Sequence, residues 1–238
     1  MKTIIALIGL VSISVLSSFA PANEKDRSAL YSPLTAYIQQ AEKGFDKIPE
    51  DRKVHLKEIA VFLHTKLSTE EKASLVYICT HNSRRSHMGQ LWAMAAAEYY
   101  GIKGVSSYSG GLEITAFNDN AVKALTKAGF RIAKKSTGSN PDYEVTYASD
   151  AAPLTVFSKK YMDAPNPTSN FAAIMCCSHA DKACPLVRGA SARISTPYED
   201  PKEADGKPNQ DQVYNERCRQ IATEVLYSFS LLKGMKSN

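Results

Sequence analysis

The chain has 238 residues, a formal net charge of +5 at pH 7 and five cysteines. This modest, scattered charge does not argue for a nucleic-acid partner, and it suits a small anionic ligand equally well. No two cysteines have CxxC spacing and the histidines form no HxxxH pattern, so the common zinc motifs are absent from the sequence.

The first 22 residues have the features of a cleaved signal peptide. Lys2 precedes an apolar run over residues 3–20, and Ala20 and Ala22 fit the minus-three and minus-one positions of a cleavage site. We therefore expect the protein to be exported, to the periplasm, after cleavage behind Ala22. The alternative is an uncleaved membrane anchor, which the serines within the run weaken.

Residues 23–70 are expected to form an N-terminal helical extension. Apolar residues recur at helical spacing from about residue 28, and Pro49 opens a second helical stretch. Two helices bury little apolar surface by themselves. We therefore expect both helices to pack on the domain that follows rather than to form a module of their own.

Residues 71–233 are expected to form one α/β domain, with a tail at residues 234–238. Strand-like and helix-like segments alternate along the domain, at residues 75–79, 86–100, 105–108, 118–128, 171–175 and 211–232. This alternation predicts a central parallel sheet with right-handed crossovers. We further expect residues 143–147 and 154–157 to pair or to extend the sheet edge, and residues 178–206 to form a loop.

Residues 79–86 carry the clearest chemical signal. They read Cys-Thr-His-Asn-Ser-Arg-Arg-Ser, between a predicted strand and a predicted helix. The backbone N–H groups of such a loop and the N-terminus of the helix can surround a tetrahedral anion. Because the same positive field favours a thiolate, Cys79 is the predicted nucleophile. Cys176 and Cys177 also lie at the carboxyl end of a predicted strand, where open sheets bind ligands.

The loop residues have distinct expected contributions. Arg85 can offer two N–H groups to the anion, Ser86 can donate to the Cys79 sulfur, and Asn82 can hold the loop backbone in a strained turn. Arg84 is expected to add charge beside the anion or to face solvent. His81 and His87 flank the loop and could tune its field, although exposed turn histidines are the commoner outcome. The remaining residues of the predicted oxyanion-binding loop are Thr80, His81 and Ser83.

Together with three later motifs, this loop resembles the low-molecular-weight protein tyrosine phosphatase superfamily, and within it the thioredoxin-coupled arsenate reductases. The later motifs are residues 108–113, 177–185 and 199–201. The resemblance implies a three-layer sandwich whose central parallel sheet is flavodoxin-like, of the phosphotyrosine phosphatase I type. It also implies a substrate that is a small oxyanion, arsenate or phosphate, or a phosphoprotein. We also expect a monomer with no cofactor and no nucleic-acid partner.

In the phosphatase branch, the resemblance implies that Asp200, in an Asp-Pro pair, is the general acid. Geometry requires this residue to reach over the anion from a mobile loop, which Pro201 would stiffen. The alternative is that the pair simply forms a turn. Lys202 and Glu203 follow where the phosphatases have tyrosines that flank an aromatic substrate, which counts against a phosphotyrosine specialist.

In the reductase branch, the resemblance implies that Cys177 and Cys184 relay the oxidation of Cys79 to thioredoxin or a similar reductant. This relay requires a flexible loop over residues 178–183. The alternative is a permanent structural disulfide between the two relay cysteines, which an exported protein can contain. Cys176 and Cys218 have no implied role and are expected to be buried, Cys176 on the opposite face of its strand.

The family reductases can also hold a potassium ion, and the resemblance places that site at Asn82 and Ser109. Gln90 stands where those reductases have an acidic residue, so we expect no bound metal.

Three hypotheses follow. The first is an arsenate reductase that uses all three thiols, and the second is a phosphatase that needs only Cys79, Arg85 and Asp200. Export favours the second, because thioredoxin is usually a cytosolic reductant. The third is a non-catalytic oxyanion-binding protein with its cysteines locked in disulfides. The triple thiol makes the reductase our leading hypothesis.

Overall fold

The computed structural model describes residues 29–235. The helices are α1 (Ser32–Glu42), α2 (Glu50–Glu70), α3 (Arg85–Tyr100), α4 (Asp119–Ala128), α5 (Ser178–Ala183) and α6 (Gln210–Ser230). The strands are β1 (Ala73–Cys79), β2 (Val105–Gly111), β3 (Arg131–Lys134), β4 (Tyr143–Thr146), β5 (Leu154–Val156), β6 (Phe171–Met175) and β7 (Ala190–Ser195). Short 3-10 helices span Phe45–Lys47, Pro201–Ala204 and Leu231–Gly234.

The predicted signal peptide at residues 1–22 lies outside the described residues, as do residues 236–238 of the predicted tail. Within residues 29–235, no helix combines the length and the apolar character needed to cross a membrane.

A parallel four-stranded sheet with the strand order β2-β1-β6-β7 forms the centre of the fold. The two inner strands are almost entirely buried, as expected for apolar strands covered on both faces. Helix α3 packs on β1 and β2 and also contacts α6, whereas α5 contacts β1 and β6. The predicted α/β architecture with a central parallel sheet is confirmed.

The two N-terminal helices pack on this domain, as the sequence predicts. The buried residues of α1 include Leu34 and Ile38, and this helix contacts α4 and α6. Tyr37 of α1 stacks on Trp92 of α3, with ring centroids 5.2 Å apart. Helix α2 follows Pro49 and contacts α6, β1 and the edge strand β7.

The strands at residues 143–157 do not extend the central sheet, which corrects one of the two expectations for them. Strand β4 pairs with both β3 and β5 in a separate antiparallel sheet, in the order β3-β4-β5. Strand β3 is missing from the sequence prediction because its residues are Arg-Ile-Ala-Lys and three of the four are exposed.

The prediction of a loop at residues 178–206 is wrong, because this segment contains α5 and the edge strand β7. Strand β7 escapes prediction since Ile194 is its only large apolar residue and the rest of the strand is partly or fully exposed. Helix α5 begins at Ser178, and the Cys177 Sγ accepts a hydrogen bond from the Ala180 N–H at 3.4 Å. The segment expected to be flexible is therefore helical.

Candidate active site

Cys79 ends β1, and α3 begins six residues later at Arg85. The Cys79 Sγ is buried and lies 3.1 Å from the Ser86 Oγ. Because the Asn82 Nδ2 donates to the same Ser86 oxygen at 2.9 Å, the Ser86 hydroxyl is free to direct its own proton at the sulfur. The contact that the sequence predicts between Ser86 and the Cys79 sulfur is therefore present, and a hydroxyl in this position can donate to a thiolate.

Asn82 holds the turn of the loop. Its φ of 43° lies in the left-handed region, which asparagine tolerates better than most residues. The Asn82 Oδ1 accepts a hydrogen bond from the Lys159 N–H at 2.8 Å, so both the oxygen and the nitrogen of the side-chain amide are hydrogen-bonded. A Cβ at Gly111 would lie 2.6 Å from the Asn82 nitrogen, and β2 must therefore end in glycine where it passes the loop.

Arg85 is buried and tied to the residues that follow β7. Its Nη1 donates to the Tyr198 carbonyl at 2.8 Å, and its Nη2 lies 2.5 Å from the Asp200 Oδ2. Its Nε is also buried and has no hydrogen-bond partner in the described part of the chain. A buried guanidinium with one free donor is suited to bind an oxyanion oxygen.

Asp200 lies in a turn, which is one of the two alternatives considered for it, and this turn borders the cleft. Its Oδ1 accepts from the Lys202 N–H at 3.1 Å, and Pro201 starts a 3-10 helix, so the pair does form a turn. Its other oxygen contacts Arg85 across the cleft. The turn thus brings a carboxyl group to the edge of the predicted anion site.

An open cleft lies over this group. Its lining residues are Thr80, His81, Arg85, Glu113, Cys177, Ser178, His179, Tyr198, Glu199, Asp200 and Glu203. Cys79 lies beneath the cleft with 2% of its surface exposed. The one tyrosine in the lining, Tyr198, is itself only 5% exposed, and the lining contains no phenylalanine or tryptophan. The cleft therefore presents no open wall of large aromatic rings.

Cys177 reaches the nucleophile's loop through Thr80. The Thr80 Oγ1 lies 3.4 Å from the Cys177 Sγ and 3.2 Å from the His179 Nδ1. The sequence analysis predicted no separate role for His179. The only signal for one was its position two residues after Cys177, close to the carboxyl end of a predicted strand. A second thiol therefore lies beside the loop that carries Cys79.

Cys184 lies at the far end of α5 and is partly exposed. Its Sγ lies 3.4 Å from the Leu186 carbonyl and 3.9 Å from the Tyr161 hydroxyl. Five cysteines occur in the described residues, and all are free thiols. Helix α5 is held by Arg193, which donates to the Asp181 carboxylate at 2.7 Å and to the Cys184 carbonyl at 3.2 Å.

Arg84 does not face solvent, which excludes one of the two orientations expected for it. Its Nε donates to the Tyr214 hydroxyl at 2.6 Å, and its Nη2 forms an ion pair with Asp205 at 3.0 Å. The side chain is buried against α6, and its charge is balanced by Asp205. Arg84 thus anchors the loop to α6.

The two histidines that flank the loop differ from each other. His81 is partly exposed, and its Nε2 lies 3.5 Å from Glu113. His87 is fully buried rather than exposed, and its Nδ1 lies 3.0 Å from the Ser109 Oγ. Burial lowers the pKa of His87 well below its usual value, and the positive charge of Lys159 acts in the same direction.

Ser83 fixes the far side of the loop, since its carbonyl accepts from the Asn118 N–H that precedes α4.

Lys159 is a buried cation that the sequence prediction missed. It is 3% exposed, its Nζ lies 3.4 Å from the Phe157 carbonyl, and burial lowers its pKa to about 8.

The two residues matched to the family potassium site make hydrogen bonds within the protein. The Asn82 side chain accepts from the Lys159 N–H, and the Ser109 hydroxyl lies 3.0 Å from the His87 Nδ1. Among the described residues no cluster of three or more His, Cys, Asp and Glu could hold a metal.

Sequence comparison finds relatives that are named arsenate reductases. One from Halalkalibacterium halodurans is 26% identical over 159 residues, which cover 67% of this chain and 96% of the relative. One from Bacillus cereus is 26% identical over 132 residues, which cover 56% of this chain and 79% of the relative. No protein-family model matches. These relatives confirm the resemblance to arsenate reductases that the motifs predict.

Solved structures with a similar chain path include enzymes of both branches. A low molecular weight protein tyrosine phosphatase from T. tengcongensis has a TM-score of 0.46 at 16% identity, covering 69% of this chain and 100% of its own. A thioredoxin-dependent arsenate reductase from Corynebacterium glutamicum has a TM-score of 0.37 at 16% identity, covering 83% of this chain and 96% of its own.

Proposed function

We propose that this protein is a thiol-dependent arsenate reductase that uses Cys79, Cys177 and Cys184 in succession. The observation that carries the proposal is the position of the Cys177 Sγ, 3.4 Å from Thr80, the residue next to the nucleophile. A disulfide relay needs a second thiol beside the nucleophile's loop, whereas a phosphatase does not. The relatives named arsenate reductases support the same reaction.

Arsenate would bind in the loop between β1 and α3. The backbone N–H groups of the loop and the N-terminus of α3 favour an anion there. The unpaired Arg85 Nε would donate to an arsenate oxygen while its Nη1 keeps its bond to the Tyr198 carbonyl, and the Asp200 carboxyl group would leave Arg85 to face the anion. The reaction needs no metal or prosthetic group.

In the first step, the Cys79 thiolate forms a sulfur–arsenic bond and one arsenic–oxygen bond breaks. The leaving oxygen takes a proton from Asp200, which lies at the edge of the same site. The Ser86 hydroxyl stabilises the thiolate before the attack. Arsenic is still pentavalent in this adduct.

In the second step, the Cys177 thiolate attacks the Cys79 sulfur. A sulfur–sulfur bond forms, and the sulfur–arsenic bond breaks with its electron pair going to arsenic, which leaves as arsenite. Two thiols have then lost two electrons and arsenic has gained them. In the third step, Cys184 attacks Cys177 and releases Cys79 as a thiolate, and an external dithiol such as thioredoxin reduces the Cys177–Cys184 disulfide.

The third step requires α5 to unwind. Cys177 and Cys184 are the residues that bound this helix at its two ends. A helical rise over seven residues separates their Cα atoms by about 10 Å along the axis. A disulfide needs a Cα separation of roughly 4.4 to 6.8 Å. The relay therefore predicts that residues 178–183 change conformation during turnover.

A phosphatase is the second candidate, because Cys79, Arg85 and Asp200 would suffice for a cysteinyl-phosphate intermediate. The cleft lacks an open wall of large aromatic rings, and the exposed residues after Pro201 are Lys202 and Glu203. An aromatic phosphate ester would therefore find little stacking surface. The residues around the cleft favour a small inorganic oxyanion.

The test is steady-state arsenite production with thioredoxin or dithiothreitol, compared with hydrolysis of para-nitrophenyl phosphate. Cys79→Ser should abolish both activities. Cys177→Ser and Cys184→Ser should lose most arsenite production and keep any phosphatase activity. Full arsenite turnover in both relay variants would rule out the relay.

We also propose that the protein is exported after cleavage behind Ala22, so that its electron donor is a dithiol protein outside the cytoplasm. The apolar run at residues 3–20 and the small residues at its end support this location. N-terminal sequencing of the protein from cell fractions tests it. An intact N-terminus in the cytoplasmic fraction would contradict it.

A further inference from the structure

Cys176 is the cross-strand neighbour of the nucleophile. Strands β1 and β6 are parallel and adjacent, and Ile78 is in register with Met175. The Cys176 N–H donates to the Ile78 carbonyl at 2.7 Å, which continues the ladder past Met175. The next pair in this register is Cys79 and Cys176.

Residues that share a register position on parallel strands also share a face of the sheet. Cys79 and Cys176 therefore lie on one face, and the next residue, Cys177, contacts Thr80 at the cleft. Neighbouring strands are about 4.7 to 4.9 Å apart, within the Cα separation of roughly 4.4 to 6.8 Å that a disulfide accepts. Cys176 can thus reach Cys79 with little movement of the backbone.

The buried surroundings of Cys176 make its thiol a slow nucleophile, so it does not take part in the relay. It is fully buried, and its Sγ lies 3.5 Å from the Ile174 carbonyl. Burial raises the pKa of Cys176 well above its usual value, and negative charge on Cys79 raises it further. A protonated thiol attacks slowly, so Cys177 reacts first when arsenate is bound.

We propose that Cys176 is a resolving thiol that rescues Cys79 after oxidation by hydrogen peroxide. Peroxide transfers an oxygen to the Cys79 thiolate, which becomes sulfenic acid and releases hydroxide. The Cys176 sulfur then attacks the Cys79 sulfur, and the hydroxyl group leaves as water with the Cys176 proton. The resulting Cys79–Cys176 disulfide prevents oxidation to sulfinic acid, and a dithiol regenerates both thiols.

This rescue requires only a reactive Cys79 and so holds for a reductase or a phosphatase. It also suits an exported protein, which meets oxidants more often than a cytosolic one. The loop itself cannot supply the resolving thiol, because Cys79 is the only cysteine in residues 79–86.

The experiment uses the full-length Cys177→Ser/Cys184→Ser double variant, which retains Cys79, Cys176 and Cys218. The variant is treated with peroxide, alkylated and analysed by intact mass and peptide mapping. We expect the loss of two hydrogens, a joined peptide pair containing Cys79 and Cys176, and full return of Cys79 alkylation after dithiothreitol. This readout is independent of catalytic activity.

Two further variants make the result specific. Adding Cys176→Ala should convert Cys79 to the sulfinic or sulfonic acid, with no return of alkylation after dithiothreitol. Adding Cys218→Ser, on α6, should change nothing. Thermal unfolding checks that each variant is folded, and Cys176→Val replaces the alanine variant if that one is not. Equal overoxidation of Cys79 with and without Cys176, or a bridge to Cys218, would overturn the proposal.

Discussion

Lys159 places an ammonium group in the protein interior, beside the residues that support the nucleophile's loop. Burial lowers its pKa from 10.5 to about 8. Between these two values the unfolded chain holds a proton that the folded chain has released, so the free energy of unfolding increases as the pH rises through this interval. A shift of this size corresponds to about 3 kcal/mol.

We therefore expect wild type to gain up to about 3 kcal/mol of stability relative to Lys159→Met between about pH 7 and pH 10. Urea unfolding at several pH values measures the difference. Lys160→Met is the matched control, since Lys160 is an exposed neighbour, and its difference from wild type should not vary with pH. A Lys159→Met difference that is flat over this interval would refute the assignment.

At the scale of single residues, the sequence predicts groups whose chemistry depends on local spacing. The contacts of Ser86 with Cys79 and of Asn82 within the turn follow from residue type and position in the loop. The burial of His87 and Lys159 does not, because no hydrophobic pattern marks a polar residue that lies in the core. The orientation of Arg84 could not be predicted for the same reason, since its partners Tyr214 and Asp205 come from α6 and the segment before it.

Helix α5 is the element that the relay must move, and Arg193 of β7 is its main tether. Arg193 donates to the Asp181 carbonyl and carboxylate at 2.6 and 2.7 Å, and Ser195 donates to the same carboxylate at 2.8 Å. We expect Arg193→Met to speed hydrogen exchange in residues 178–184 and to speed formation of the Cys177–Cys184 disulfide under a mild oxidant. Arg188→Met, at an exposed position nearby, is the control and should change neither rate.

Helix α2 supports the cleft through Arg52. Its guanidinium forms an ion pair with Glu224 of α6 at 2.7 Å and lies 4.7 Å above the Tyr198 ring, whose backbone carbonyl binds Arg85. We expect Arg52→Met to cost about 3 kcal/mol of stability, since it leaves Glu224 buried without its partner. It should also raise the KM for the oxyanion by loosening Tyr198.

Urea unfolding and steady-state kinetics measure these two effects of Arg52→Met. The double variant Arg52→Met/Glu224→Gln should recover much of the stability. Lys53→Met, which removes a cation paired with the exposed Glu50, is the control and should change stability by less than about 1 kcal/mol. An unchanged stability in Arg52→Met would show that α2 does not support the cleft.

At the scale of elements, periodicity predicts long helices and buried strands and fails for short edge elements. Strand β6 is found at the predicted residues because it is apolar throughout, and α4 because Asn118 caps it and Gly129 ends it. Strand β7 has one large apolar residue, and its pairing with β6 depends on tertiary contacts. Helix α5 is too short for a periodic pattern.

For the whole molecule, the parallel topology explains why distant segments meet. Strands β1 and β6 are adjacent, so their carboxyl ends bring Cys79 together with Cys176 and Cys177, and Asp200 follows the neighbouring strand β7. The alternation of strands and helices predicts that the cysteines converge. It does not predict the position of Asp200, because β7 lies in a segment expected to be a loop. It does not predict which thiol faces which way, because that depends on the register between β1 and β6.

The central claim is that Cys177 completes the reduction that Cys79 begins. A single turnover with excess arsenate and no reductant tests it most directly, using wild type, Cys184→Ser and Cys177→Ser. We predict that Cys184→Ser releases one arsenite per chain and accumulates a Cys79–Cys177 disulfide, while Cys177→Ser releases none. Release of one arsenite per chain by Cys177→Ser would contradict the account.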